Sequence, residues 1–225
     1  MATDHPDALG AAAPPKPSTD PIQWIHADLQ TLNSDPKALQ AFEAQVRTRL
    51  NGQPLHGIIH NAALQRLGSF ASLSGADWQA TLAVNLLAPV AISRLFLEDL
   101  IETRGSIVHI SSIHSQLTKS GFTAYATSKA ALSGLTRAMS VELGDRIRVN
   151  AIEPAAIRTA MLEAGFADYP EGLTALAAHH PTGAIGEPTD VARAVAFLLD
   201  PTNRFLNGCV LQLGGGIHAR LHDPI

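Results

Sequence analysis

Residues 106–152 read SIVHISSIHSQLTKSGFTAYATSKAALSGLTRAMSVELGDRIRVNAI, and this stretch decides the fold. Ser106 to Ser111 is a near-continuous apolar run of strand length, and Ile147 to Ile152 is another. Between them Phe122 to Leu143, rich in Ala, Ser and Gly, reads as a long helix. Parallel neighbours need a crossover connection, so strand, helix and strand in this order indicate a βαβ unit. Strands covered on both faces read as unbroken apolar runs, as these do.

The alternation continues outward. Upstream lie a short apolar run, Ile22 to Ala27, read as a strand ending in Asp28, and a helix, Pro36 to Leu50. The helix keeps Leu39, Phe42, Val46 and Leu50 on one side, with Ser34 or Asp35 as N-cap. Leu55 to His60 is a further strand, and Asp77 to Leu100 reads as one long helix. Downstream, Pro188-Thr189-Asp190 opens a helix over Thr189 to Leu199. Cys209 to Leu213 is a last strand, closed by Gly214-Gly215-Gly216. The expectation is an α/β chain with a doubly wound parallel sheet and one domain over 22–225. Residues 1–21 hold Pro6, Pro14, Pro15, Pro17 and Pro21 among alanines and read as a flexible N-terminal segment, because proline removes donors. In such sheets ligands bind beyond the carboxyl ends of the strands, which directs attention to the residues after Ala27, His60, Ser111 and Ile152.

Composition excludes several classes. Of 225 residues, 46% are hydrophobic and 16% charged, enough apolar material for a core and too much for a disordered chain. The net charge of −4 gives no basic face for a nucleic acid. One cysteine, Cys209, rules out a disulfide framework and a Cys-based zinc cluster. No run reaches the roughly 18 apolar residues of a membrane helix, and no basic region precedes Ala8–Ala13 as in a secretory signal. The expectation is a cytoplasmic protein with no membrane or nucleic-acid partner. None of the ten histidines sits in a carboxylate-flanked metal spacing, so no metal is expected.

Tyr125 and Lys129 stand four apart on the helix 122–143, and positions i and i+4 share a face. At about 4 Å and an effective dielectric near 20, a phenolate and an ammonium attract by roughly 4 kcal/mol. That is up to roughly three pKa units, enough to bring a phenol toward neutrality, where it can act as acid or base. Alone, Tyr-x-x-x-Lys is most simply a surface pair. Here Ser112 stands thirteen residues before Tyr125, just past the strand 106–111.

The pattern Ser112, Tyr125, Lys129 resembles that of the short-chain dehydrogenase/reductase family, as do further motifs between about residues 22 and 217. The family's Asn-Ala-Gly appears as Asn61-Ala62-Ala63, its helix asparagine as Asn85, and its Pro-Gly as Pro154-Ala155 with Thr159 following. Gly186-Glu187-Pro188 and Gly214-Gly215-Gly216 fit the same context. The resemblance implies a Rossmann-like fold and hydride transfer between NAD or NADP and a small carbonyl or alcohol substrate. Tyr125 would exchange a proton with the substrate oxygen, and Ser112 would hydrogen-bond that oxygen. Lys129 would lower the Tyr125 pKa and hold the nicotinamide ribose, and Asn85 would hold a water linking Lys129 to solvent. Asp28 and Leu29 would lie near adenine. Asn61, Ala62 and Ala63 would line the cofactor, and Pro154, Ala155, Ile157 and Thr159 would border the nicotinamide and pyrophosphate. Residues 157–185 would form a substrate lid with Met161, Leu162, Phe166 and Tyr169, and the small-residue face of helix 122–143 would help build a homodimer or homotetramer. His114 reads as a loop residue that could also face substrate.

The chain departs from the family in two ways. Ala63 and Ala155 replace glycines, and Ala155 excludes easy positive φ. More seriously, the Gly-rich turn that cradles pyrophosphate is missing, since the only glycine before Gly52 is Gly10. Met1-Ala2-Thr3-Asp4 looks like the tail of the family's second strand, whose terminal acid goes with NAD. The chain could therefore start at an internal methionine of a longer protein, or 1–21 could be a plain tail. With two strands missing the sheet is expected to be incomplete on its N-terminal side, leaving a gap of about 10 Å beside strand 55–60. Residues 22–27 then either pair with 55–60 or stay outside the sheet. The competing function is a truncated or non-catalytic relative that has lost dinucleotide binding. Hydrolysis through Ser112 and His114 fails for want of a Gly-x-Ser-x-Gly elbow.

Overall fold

In the computed structural model, which describes residues 22–169 and 171–221, four parallel strands form one sheet in sequence order. They are β1 (Gly57–His60), β2 (Ser106–Ile110), β3 (Arg148–Pro154) and β4 (Val210–Leu213). His60 aligns with His109, Ile110 with Ile152, and Pro154 with Leu213, so all the strands end along one rim. The helices are α1 (Leu29–Leu32), α2 (Pro36–Leu50), α3 (Gly75–Leu82), α4 (Ala88–Leu95), α5 (Leu97–Thr103), α6 (Thr123–Leu143), α7 (Ala160–Ala164), α8 (Glu171–His179) and α9 (Pro188–Leu199).

Local chemistry sets several of these starts. Asp35 caps α2, accepting from the Lys37 amide at 2.8 Å, with Pro36 at the first position, where a missing N–H costs nothing. Ser74 with Asp77, and Glu187 with Asp190, form reciprocal capping boxes on α3 and α9.

Side chains alternate across the sheet. Val108, Ile110 and Ile152 pack with Val195 and Leu198 of α9. Ile107 and Val149 join Leu100, Leu143 and Ile147 on the other face. Helices thus cover both faces, and the parallel, doubly wound arrangement is the one read from residues 106–152. A further cluster joins Ile25, Leu29 and Leu32 to Phe42, Val46, Val84, Ala88, Ile92 and Phe96.

Two expectations are corrected. Residues 22–27, read as a strand, form no strand of the sheet and stay outside it, the second of the two placements expected, and among the described residues β1 has a neighbour, β2, on one side only. Their apolar character serves the helical cluster instead, where Ile25 is buried. The single helix expected over Asp77–Leu100 is three helices and a π-helical turn, Ala83–Leu87, with a 60° bend at Phe96. Pro89 has no amide to donate to Asn85, and the wider turn absorbs the lost bond. The bend drops Phe96 into the core, edge-on to Phe42 at 6.4 Å. Residues 1–21, expected to be a flexible segment, lie outside the described residues, as does Asp4. Among the described residues no single helix is long and apolar enough to cross a membrane.

Candidate active site

At the carboxyl rim of the sheet a cavity of about 960 Å³ opens between α4, α6 and α9. Ser112, Tyr125, Lys129, Asn61, Ala62, Ala63, Pro154, Ala155, Ile157, Thr159 and Leu29 all line it. The sequence-predicted residues therefore converge, except for Asp28 and Asn85.

Each arrives on a different element. Ser112 follows β2 and caps the short turn Ile113–Ser115, its hydroxyl accepting from the His114 amide at 3.2 Å. Tyr125 and Lys129 stand one helical turn apart in the first half of α6, both buried. Asn61–Ala63 follow β1, and Pro154 ends β3. Thr159 caps α7, accepting from the Leu162 amide, and backbone bonds of Ala156 and Arg158 to Gly186 hold the segment before it.

The electrostatics differ from the sequence expectation in one respect. The Lys129 ammonium is 5.7 Å from the centre of the Tyr125 ring, and it donates to the Ile110 carbonyl at 2.7 Å. Burial pushes the Tyr125 phenol above its usual range, and a hydrogen bond with Ser112 works against that rise. Desolvation outweighs the attraction expected from spacing, so at neutral pH the phenol carries its proton. Burial also lowers Lys129, to about 8.

Asn85 does not reach the cavity lining. Buried in the π-helical turn, it accepts from the Leu64 amide at 2.7 Å and donates to the Leu64 carbonyl and the Ser128 hydroxyl, both at 2.9 Å. It bonds the loop after β1 to α6, and no described contact joins it to Lys129. Asp28 caps α1, accepting from the Gln30 amide at 2.9 Å, and is not among the residues around the cavity. Ala155, where tolerance of the added methyl is expected, adopts no left-handed backbone, and its amide donates to the Leu213 carbonyl at 2.9 Å.

Several features escaped sequence reading. His114 stacks on Phe122 at 4.3 Å and meets Tyr125 edge-on at 5.8 Å; burial holds it neutral, with a pKa near 4. His60 and His109 stack in the core, 5.2 Å apart. Glu153, a fully buried carboxylate, carries hydrogen bonds from three side chains. The His60/His109 register follows only from strand pairing. Glu153 was in principle visible as an acid inside an apolar strand. Of the lid residues named from sequence, Met161 lines the cavity, while Tyr169 is exposed.

The lining fits the nicotinamide end of a dinucleotide. An ammonium has three donors; Lys129 spends one on Ile110 and stands beside the cavity with others left for a ribose hydroxyl.

Comparison with known proteins gives a consistent set. A family model described as enoyl-(acyl carrier protein) reductase matches residues 15–218. The chain is 36% identical over 162 residues to the BbsD subunit of (2S)-[(R)-hydroxy(phenyl)methyl]succinyl-CoA dehydrogenase from Thauera aromatica, covering 71% of this chain and 63% of that one. It thus spans less than two thirds of that relative's length. Thermoplasma acidophilum aldohexose dehydrogenase superposes with a TM-score of 0.80 at 27% identity, over 91% of this chain and 83% of that one. A 4-hydroxyisoleucine dehydrogenase complexed with NADH gives 0.78 at 28% identity, over 88% and 79%.

Proposed function

The chain belongs to the short-chain dehydrogenase/reductase family, and from that premise we propose that it is an NAD(P)-dependent oxidoreductase acting on a small carbonyl/alcohol pair. The observation that carries the proposal is the convergence of Ser112, Tyr125 and Lys129 on one rim cavity, with the phenol hydrogen-bonded to the serine and pushed up by burial. In the reductive direction Tyr125 donates its proton to the substrate oxygen, and Ser112 orients that oxygen and stabilises the charge that grows on it. Lys129 holds the ribose, and on its rim Asn61–Ala63 and Pro154–Thr159 shape the pocket. The bound nicotinamide supplies or accepts the hydride.

NAD is favoured over NADP only by Asp4. The exposed Ala130, Ala138 and Val141 along α6 support a homodimer or homotetramer. The lone Cys209 suits a reducing cytoplasm. Residues 22–225 make up one domain in this reading.

Titration of the purified chain with NADH and NADPH, followed by thermal shift and by nucleotide fluorescence, tests the reading. A saturable rise in melting temperature supports it. The second reading is a non-catalytic relative that does not bind dinucleotide. Absence of any shift at millimolar nucleotide selects that alternative.

A further inference from the structure

The acid inside β3 has an unusual position. Glu153 is 1% exposed, one residue before the Pro154-Ala155 that lines the cavity. Its register partner on β4 is Gln212. A carboxylate taken out of water costs several kcal/mol unless its oxygens are satisfied. Here they are, and the donors come from different elements. The Ser115 hydroxyl donates to Oε1, and the Gln116 amide to Oε2 at 2.6 Å. The Ser133 hydroxyl of α6 donates to Oε1 at 2.8 Å. Ser133 in turn contacts the Ser111 hydroxyl at 2.8 Å, and Ser111 donates to the Lys129 carbonyl at 2.9 Å. Gln116 also accepts from Gln212 at 3.3 Å.

These bonds have a common geometric effect. Ser115 and Gln116 close the one-turn segment whose cap is Ser112. Ser133 lies one turn beyond Lys129 on the helix that carries Tyr125. Ser111 is the residue before Ser112, tied to the Lys129 backbone. One buried carboxylate therefore fixes the Ser112-bearing turn against the Tyr125-bearing helix, from behind the cavity. Glu153 itself does not line the cavity.

We propose that Glu153 is a positioning residue that sets the Ser112–Tyr125 geometry by clamping Ser115, Gln116 and Ser133. The inference deepens the oxidoreductase reading and gives its site a supporting carboxylate. Charged hydrogen bonds are shorter and roughly twice as strong as neutral ones, which suits a part that must hold position. Glu153 acts through Ser112 and touches no reacting atom.

The chain has two tyrosines, Tyr125 and Tyr169, so tyrosine labelled with 13C at Cζ gives two resonances, assigned with Tyr169→Phe. The Cζ shift reports the hydrogen bonding of the phenol and needs neither nucleotide nor turnover. Glu153→Ala and the near-isosteric Glu153→Gln are expected to displace the Tyr125 resonance while the Tyr169 resonance stays in place. The exchange Glu153→Gln with Gln116→Glu rebuilds the Glu153–Gln116 bond with donor and acceptor reversed, and is expected to move the signal back toward its wild-type position. Folded Glu153→Ala and Glu153→Gln proteins whose Tyr125 resonance is unmoved would overturn the proposal, as would a double variant that remains displaced. Should Glu153→Ala fail to fold, Glu153→Gln and the double variant decide the matter. Where turnover of a carbonyl probe such as ethyl acetoacetate is measurable, kcat should fall roughly ten- to a hundredfold in Glu153→Gln, the cost of a misplaced reacting group. KM for the nucleotide should stay within about twofold. The resonance is read without nucleotide, so a chain that binds no NADH can still show the displacement. That result would remove the oxidoreductase reading and leave the clamp.

Discussion

Tyr125 and Lys129 illustrate what spacing along a helix settles and what it leaves open. Four residues apart they share a face, and both reach one cavity. Which way the phenol shifts depends on burial and on where the ammonium points, and here burial raises it while the ammonium donates to Ile110. Tyr125→Phe keeps the ring and its contacts with His114 and Phe122 but removes the proton. In steady-state assays it should lower kcat by roughly a thousandfold, the usual worth of a positioned acid, while nucleotide-induced thermal shifts persist. Lys129 has a pH signature of its own. Its folded pKa, about 8, lies below the ordinary 10.5, so between these values the unfolded chain binds more protons and stability rises with pH. Between pH 7 and 9.5 the wild type should therefore gain about 2 kcal/mol relative to Lys129→Met, compared by denaturant midpoints at the two pH values. A gap that stays constant would mean that Lys129 is charged at both.

Pairs of elements impose constraints that no single residue reveals. β1 and β2 bring His60 and His109 into register, and the rings stack at 5.2 Å in the core. His60 meets the Ser93 hydroxyl at 2.9 Å and His109 the Thr136 hydroxyl at 2.8 Å. Desolvation keeps both neutral, lowering His60 to about 4. A histidine depressed in the folded state binds its proton first when unfolded, so stability is lost as pH falls from 6.5 toward 4. Urea denaturation should show that loss, and His60→Gln should flatten it by roughly 3 kcal/mol over the window. The π-helical turn behaves similarly. Asn85 satisfies both backbone groups of Leu64 and bonds Ser128. Asn85→Ala would leave buried donors and acceptors unmade, at about 1–3 kcal/mol for each. Chemical denaturation should register a loss of several kcal/mol, whether or not nucleotide binds. In the sequence Asn85 was legible as a special position because it matched a motif. Its amide's partner was not, since Leu64 lies 21 residues away on a loop without periodicity.

For the molecule as a whole, the alternation of apolar runs and helical stretches sufficed to place the four strands in order, with Ser112, Tyr125 and Lys129 at the cavity on their carboxyl rim. Residues 106–154 were legible because buried strands and a long helix are each locally consistent, and tertiary packing confirms rather than overrides them. The 22–27 run misled because a short apolar segment reads the same in a strand and in a loop that drops Ile25 into a helical cluster. Strand identity needs a partner, and among the described residues β1 has one on a single side. Beside that edge the cavity is walled by apolar side chains, Ala88 and Ile92 of α4 and Val195 and Leu199 of α9, while Ile59 on β1 is 45% exposed. Among the described residues that edge has no partner strand, and a strand open along its edge between greasy walls is a template for another extended segment. Self-association of the purified chain should therefore rise with concentration in sedimentation velocity. Ile59→Lys places a charge at the edge, where lysine discourages pairing, and its long stem lets the ammonium reach water. That variant should sediment as a smaller species than wild type at equal concentration, with its melting temperature little changed. Equal sedimentation of the two proteins across the range would show that the β1 edge is already covered, and the apolar walls would then be lining for a ligand alone.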